Sequence, residues 1–116
     1  MRRHLGRGLL GWRLLVVATL SAILPCCSDR RNIQRGEKLF QENCAICHAV
    51  SNLDLKKQPP KLDGLFQSKT LPSGAPATDE QVRRPIINGI GTMPAFDQRL
   101  SSADVNDLLG YLHELK

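Results

Sequence analysis

Apolar and polar residues follow a different rhythm in each of five successive stretches of the chain. Residues 1–28 carry Arg2, Arg3, Arg7 and Arg13 with no acidic residue, then a largely apolar run from Leu14 to Leu24, closed by Pro25-Cys26-Cys27-Ser28. A helical period begins after Asn32. Ile33, Gly36, Phe40, Cys44 and Cys47 fall within about 80° of one another at about 100° per residue, which predicts one helix from an Asn32 N-cap through Cys47. Residues 49–77 show no period and are punctuated by Pro59-Pro60, Gly64, Pro72, Gly74 and Pro76, so Leu62 to Gln67 is expected to form at most a short helix. So long an irregular stretch is unusual in a compact domain unless it wraps something. Thr78-x-x-Gln81 reads as a capping box opening another helix, with Val82, Ile86 and Ile87 on its apolar side. Pro85 predicts a kink there, or a short helix ending at Asn88-Gly89. Ser101-x-x-Asp104 opens the last helix, whose Val105, Leu108, Leu109, Leu112 and Leu115 span about 120° of arc. No stretch alternates as a strand does, so an all-α fold is expected.

Length and charge narrow the picture. The chain has 116 residues, 16 Lys+Arg against 11 Asp+Glu, and a net charge of +5, room for one domain and not for a multidomain enzyme. The basic start, the short apolar run and the small residues beyond it form a secretory signal. The run falls short of the roughly 20 residues a membrane span needs, and extending it would bury Arg13. Removing residues 1–28 takes away four of the five excess positive charges and leaves about +1. A nucleic-acid reading then loses its support, since no aromatic residue is interleaved with a basic run and the only Trp, Trp12, leaves with the signal.

The four cysteines divide at the same boundary. Cys26 and Cys27 lie where export ends, and adjacent cysteines are poorly placed to bridge each other. Cys44-Ala45-Ile46-Cys47-His48 has the Cys-x-x-Cys-His order of a c-type haem attachment site. On a helix, residues three apart share a face, so both thiols can form thioethers with the vinyl groups on one porphyrin edge while His48 meets the iron. A thioredoxin-like pair would need a βαβ setting, and no strand pattern precedes Cys44. Structural zinc would need a second ligand pair, and after His48 the only histidine is His113.

The sequence resembles the class I c-type cytochromes over essentially all of Asn32 to Lys116. The resemblance rests on Gly36-x-x-Leu39-Phe40-x-x-x-Cys44-x-x-Cys47-His48, then Pro60-Lys61-Leu62-x-Gly64-Leu65, then Asn88-Gly89-x-Gly91-Thr92-Met93-Pro94-Ala95-Phe96, and finally Leu108-x-x-Tyr111-Leu112. It implies a class I cytochrome c fold, with three main helices and long loops wrapped around one covalently bound haem c. It further implies thioethers at Cys44 and Cys47, axial ligands at His48 and Met93, Gly36 and Phe40 packed against the last helix near Leu108 and Tyr111, and a Pro60 carbonyl bonded to the far nitrogen of the haem histidine. The lack of a mature-chain Trp and the presence of Pro85 inside a helix depart from the family pattern.

Each expected role has a physical reason. Met93 offers a soft thioether that favours ferrous iron, and its loop is glycine-rich enough to bring backbone close to a haem. A helix-interior Gly36 would cost about 1 kcal/mol against Ala, so a close helix crossing is the better account of it. His113 is read as an exposed residue at a helix end, where a cation is favourable. Lys56, Lys57, Lys61 and Lys69 read equally as a basic collar for an acidic partner and as a solvated loop.

These readings lead to residues 1–28 as signal, 29–31 as a short linker and 32–116 as a cytochrome c domain. The expected protein is a monomeric, exported one-electron carrier, not an enzyme. It would exchange electrons with redox proteins, as acceptor for a dehydrogenase or donor to an oxidase, and bind no nucleic acid. The competing function is a haem enzyme subunit or gas sensor with an open sixth coordination site, which a Met93 ligand would close. The expected location is the periplasm, free or tethered. Cys27 as the first mature residue loosely resembles a lipoprotein signal, although Pro25 and the lack of Gly or Ala before Cys27 weaken the match. With only about 88 mature residues and four aromatic residues, Phe40, Phe66, Phe96 and Tyr111, the core is small and haem is expected to complete it.

Overall fold

The computed structural model describes residues 26–50 and 53–116, so most of the expected signal lies outside the described residues. Among the described residues, four helices follow one another: α1 (Cys26–Asn43), α2 (Ala45–His48), α3 (Asp79–Asn88) and α4 (Ser102–Glu114). No strand occurs among the described residues, only isolated antiparallel bridges between Thr70 and Pro76 and between Ile90 and Met93. Helix α1 runs through residues 29–31, the stretch expected as a linker.

The core is an α1–α4 crossing with α3 packed beside α4. Phe40, Leu65, Val82, Ile86, Phe96, Leu100, Val105, Leu108, Leu109 and Leu112 are its buried residues. Four of the five positions on the expected α4 stripe are therefore buried, and the fifth, Leu115, packs against the core just beyond the helix end. The crossing is close because Gly36 faces the α4 backbone: a Cβ at Gly36 would lie 2.0 Å from the Asp107 carbonyl oxygen and 2.9 Å from the Tyr111 Cβ. One turn on, Phe40 meets Tyr111 with ring centroids 5.4 Å apart at 48°, a tilted pair that adds about 1 kcal/mol to the burial itself. At its solvent edge, Arg35 bridges to Asp104 and, at 3.5 Å, to Asp107.

The ends of α3 and α4 follow the expected local chemistry with one difference, whereas Asn32, expected as an N-cap, lies inside α1. Ser101 and Asp104 form a full capping box at α4: the Ser101 hydroxyl oxygen accepts from the Asp104 N–H, and Asp104 accepts from the Ser101 N–H at 2.9 Å. Thr78 caps α3 by accepting from the Gln81 N–H at 3.4 Å. Its own N–H donates to the Pro76 carbonyl, so the reciprocal half of that box is replaced by a backbone turn. Pro85 sits inside α3 without stopping it, and the helix ends at Asn88 as expected. The 62–67 stretch forms turns and no helix. Gly64 N–H donates to the Leu115 carbonyl and the Gln67 amide to the His113 carbonyl. Carbonyls that the end of α4 leaves free thereby gain partners in this turn.

Candidate functional site

The attachment motif does not continue α1 as one helix. Cys44 N–H still bonds the Phe40 carbonyl at 2.8 Å, but at Cys44 the backbone swings to φ −117° and α2 begins anew at Ala45. The Asn43 side chain donates to the Leu39 carbonyl at 3.0 Å and accepts from Arg99 at 3.2 Å, a side-chain competition for backbone partners that favours a helix end. The Cys47 and His48 N–H groups both return to the Cys44 carbonyl, at 3.0 and 2.9 Å. Cys44, Cys47 and His48 therefore share one tight turn.

The expected carbonyl partner of His48 is present. The Nδ1 atom of His48 lies 2.8 Å from the Pro60 carbonyl oxygen. A carbonyl can only accept, so Nδ1 carries the proton and Nε2 keeps its lone pair for a metal. Pro59-Pro60 stiffens the loop that delivers this carbonyl.

Cys44 and Cys47 form no disulfide with each other, and each is half-buried. Burial, with a smaller contribution from neighbouring Cys47, pushes the Cys44 thiol up to about 11. Among the described residues, no group of three or more His, Cys, Asp or Glu is arranged to hold a metal ion. The set present is two thiols on one turn and a histidine with Nε2 available, which fits a covalently held haem.

Met93 lies on a separate loop and packs, half-buried, against the same core as Cys44. Ile90 and Met93 exchange both backbone bonds, at 3.1 and 2.9 Å, around a two-residue turn of Gly91 (φ +58°) and Thr92. Phe96 N–H then donates to the Ile86 carbonyl near the end of α3 at 2.9 Å. On the His48 side a cavity of about 270 Å³ is lined by Phe40, Lys61, Leu62, Tyr111 and Leu115 among others.

His113 is exposed, as expected, but it is not idle. Its Nε2 lies 2.7 Å from an Asp79 carboxylate oxygen, and its ring stacks on Phe66 with centroids 3.7 Å apart. It joins the start of α3 to the end of α4. Lys56, Lys57, Lys61 and Lys69 are all exposed. The roles of Asn43, Asp79 and Gly89 escape sequence reasoning because each depends on a partner distant in sequence or on backbone geometry. The Asn88-Gly89 stop signal marked only where α3 ends.

An all-α frame with a Cys-x-x-Cys-His turn on one element and a half-buried methionine on another has the features of a small c-type haem protein. Residues 31–112 match the family described as cytochrome c oxidase, cbb3-type, subunit III. The chain is also similar to cytochrome c6 of Picosynechococcus sp., 37% identical over 82 residues that cover 66% of this chain and 68% of that one. Cytochromes c6 of Alaria esculenta (30% over 82 residues) and Bumilleriopsis filiformis (32% over 81) each align with 70% of this chain and 88% of their own length. The chain belongs to the class I c-type cytochromes. It binds one covalent haem c with its iron, and it is an electron carrier, not an enzyme.

Proposed function

We propose that this chain is an exported monohaem carrier in which Cys44 and Cys47 hold the haem through thioethers and His48 and Met93 are its axial ligands. The observation that carries the reading is the 2.8 Å contact between His48 Nδ1 and the Pro60 carbonyl, which orients the ring and leaves Nε2 as the donor. When bound, the haem supplies a one-electron ferrous–ferric couple. The Pro60 bond fixes the His48 tautomer and raises its basicity as a ligand. Met93 contributes a soft thioether that favours the ferrous state and raises the potential above that of a bis-histidine site. The closed backbone ring at Ile90 and Met93 holds that thioether's main chain in place, so oxidation and reduction require little movement of the chain.

Export rests on the basic, then apolar, leader of residues 1–28 and makes the periplasm the site of action, with redox proteins as donor and acceptor. No helix among the described residues is long and apolar enough to cross a membrane. Intact mass of the mature protein tests the leader and attachment together. A mass starting near residue 28 with one haem added supports the reading, and a further diacylglycerol mass places a tether on Cys27. A mass retaining the leader or lacking haem overturns it.

The ligand assignment is tested by the absorption spectrum of the ferric holoprotein. An iron–methionine charge-transfer band is expected in the wild type and is expected to vanish in Met93→Ala, whose ferrous form then binds carbon monoxide rapidly. A wild type that lacks the band and binds carbon monoxide rapidly has an open sixth site, which would favour a haem enzyme subunit or gas sensor.

A further inference from the structure

We infer that Gly89 is a positioning residue for Met93, and that the 89–96 loop is held in its ligand-presenting shape by its own backbone. This inference rests on the proposed Met93 ligation.

The loop must turn back sharply as α3 ends. Gly89 adopts φ 73° and ψ 165°. This is not the left-handed helical conformation of an ordinary C-terminal glycine but an extended mirror-image one that essentially only glycine occupies. The same residue is crowded. A Cβ at Gly89 would lie 2.8 Å from the Met93 carbonyl oxygen, 2.9 Å from the Ala95 nitrogen and 3.1 Å from the Pro94 carbonyl carbon. All three atoms are backbone, so no side chain can swing aside to relieve the contact, and all three belong to Met93 or the two residues after it.

The loop also resists retreat on both sides of that contact. Gly89 N–H is tied to the Pro85 carbonyl at 2.9 Å, and Phe96 N–H to the Ile86 carbonyl at 2.9 Å. Between these anchors, Ile90 and Met93 bond each other twice. The segment is a short hairpin sealed against the end of α3, with Phe96 buried at its far end. A side chain at position 89 must therefore push the Met93–Ala95 backbone away from α3, and the Met93 sulfur moves with it.

Gly91 separates this effect from the milder strain of an ordinary left-handed glycine. It lies in the same loop with φ +58°, yet an added Cβ there meets nothing within 4 Å. Gly91→Ala introduces an unfavourable φ without the contact, and Gly89→Ala introduces both.

The experiment compares the ferric holoproteins of wild type, Gly89→Ala, Gly91→Ala and Met93→Ala by their iron–methionine charge-transfer band, reduction potential and affinity for imidazole, which competes for the sixth position. Gly89→Ala is expected to weaken or abolish the band, lower the potential and bind imidazole at least about ten-fold more tightly than wild type, because its methionine-ligated state is less populated. Gly91→Ala is expected to stay within about three-fold of wild type with its band intact. An unchanged band and imidazole affinity in Gly89→Ala overturns the inference, and so does an equal change in Gly91→Ala. A wild type without the band, unaffected by Met93→Ala, instead overturns the ligand assignment itself. If Gly89→Ala yields no holoprotein, amide hydrogen exchange in holo Met93→Ala decides. Protection of the amides at positions 90 and 96 should persist, and its collapse would mean that the iron–sulfur bond holds the loop.

Discussion

Two regions of this cytochrome depend on a glycine, for different reasons. At the α1–α4 crossing, Gly36 lies mid-helix and is required because a Cβ would run into the Asp107 carbonyl of the facing helix. In the 89–96 loop, Gly89 is required because the chain takes a backbone conformation closed to other residues while pressed against Met93–Ala95. The first glycine lets two apolar stripes approach and so acts on the stability of the whole domain. The second shapes a segment that contributes one buried core residue, Phe96, and presents one half-buried methionine. Close backbone approach thus serves cohesion in one place and placement in the other, and the two should separate when tested.

The hardest test removes the haem. The Cys44→Ala/Cys47→Ala apoprotein is expected to lack a cooperative thermal transition of native size, because the ten buried hydrophobic residues among the described residues make a small core for one domain. A transition of full size would show that the crossing folds without its cofactor and would break the comparison. A smaller effect is expected from Gly36→Ala in the holoprotein. Overpacking against backbone should cost about 3 kcal/mol in denaturant unfolding while the charge-transfer band stays intact. Together with Gly89→Ala, which is expected to lose the band, it separates cohesion from ligand placement.

The smallest effect concerns the α4 cap. The Ser101 hydroxyl and N–H donate to Asp104, with Arg35 alongside, and these hold its carboxyl below the usual carboxylate range. The folded pKa is therefore lower than the unfolded one, so the stabilisation is present above about pH 4 and is lost as pH falls through the folded value. Asp104→Asn should unfold more readily than wild type at neutral pH, and the gap between them should close in acid. A gap that persists undiminished well below pH 4 would assign the effect to packing.

Much of the fold was legible because its signals are local. The period of α4, its capping box, the Thr78 cap and the stop at Asn88-Gly89 each depend on residues within a few positions of one another. The Cys44, Cys47 and His48 constellation was legible for the same reason. The predicted single helix from Asn32 through Cys47 instead divides at Cys44, where the Asn43 side chain engages Leu39 and Arg99, the latter far along the chain. The His113–Asp79 pair and the Phe66 stack were equally hidden, since they join residues from three separate segments.

By itself, the sequence determined the helical periods, the order of the haem-binding motif and the small residues at 36 and 89. These follow from spacing and residue type, which act over a turn or two of chain. A close helix crossing at Gly36 was expected from the sequence, but only the tertiary structure decided which backbone atoms each glycine faces. At Gly36 it is the Asp107 carbonyl of another helix, and at Gly89 it is the loop that carries Met93. A missing Cβ is visible in the sequence, but the atoms that require its absence are brought there by the fold.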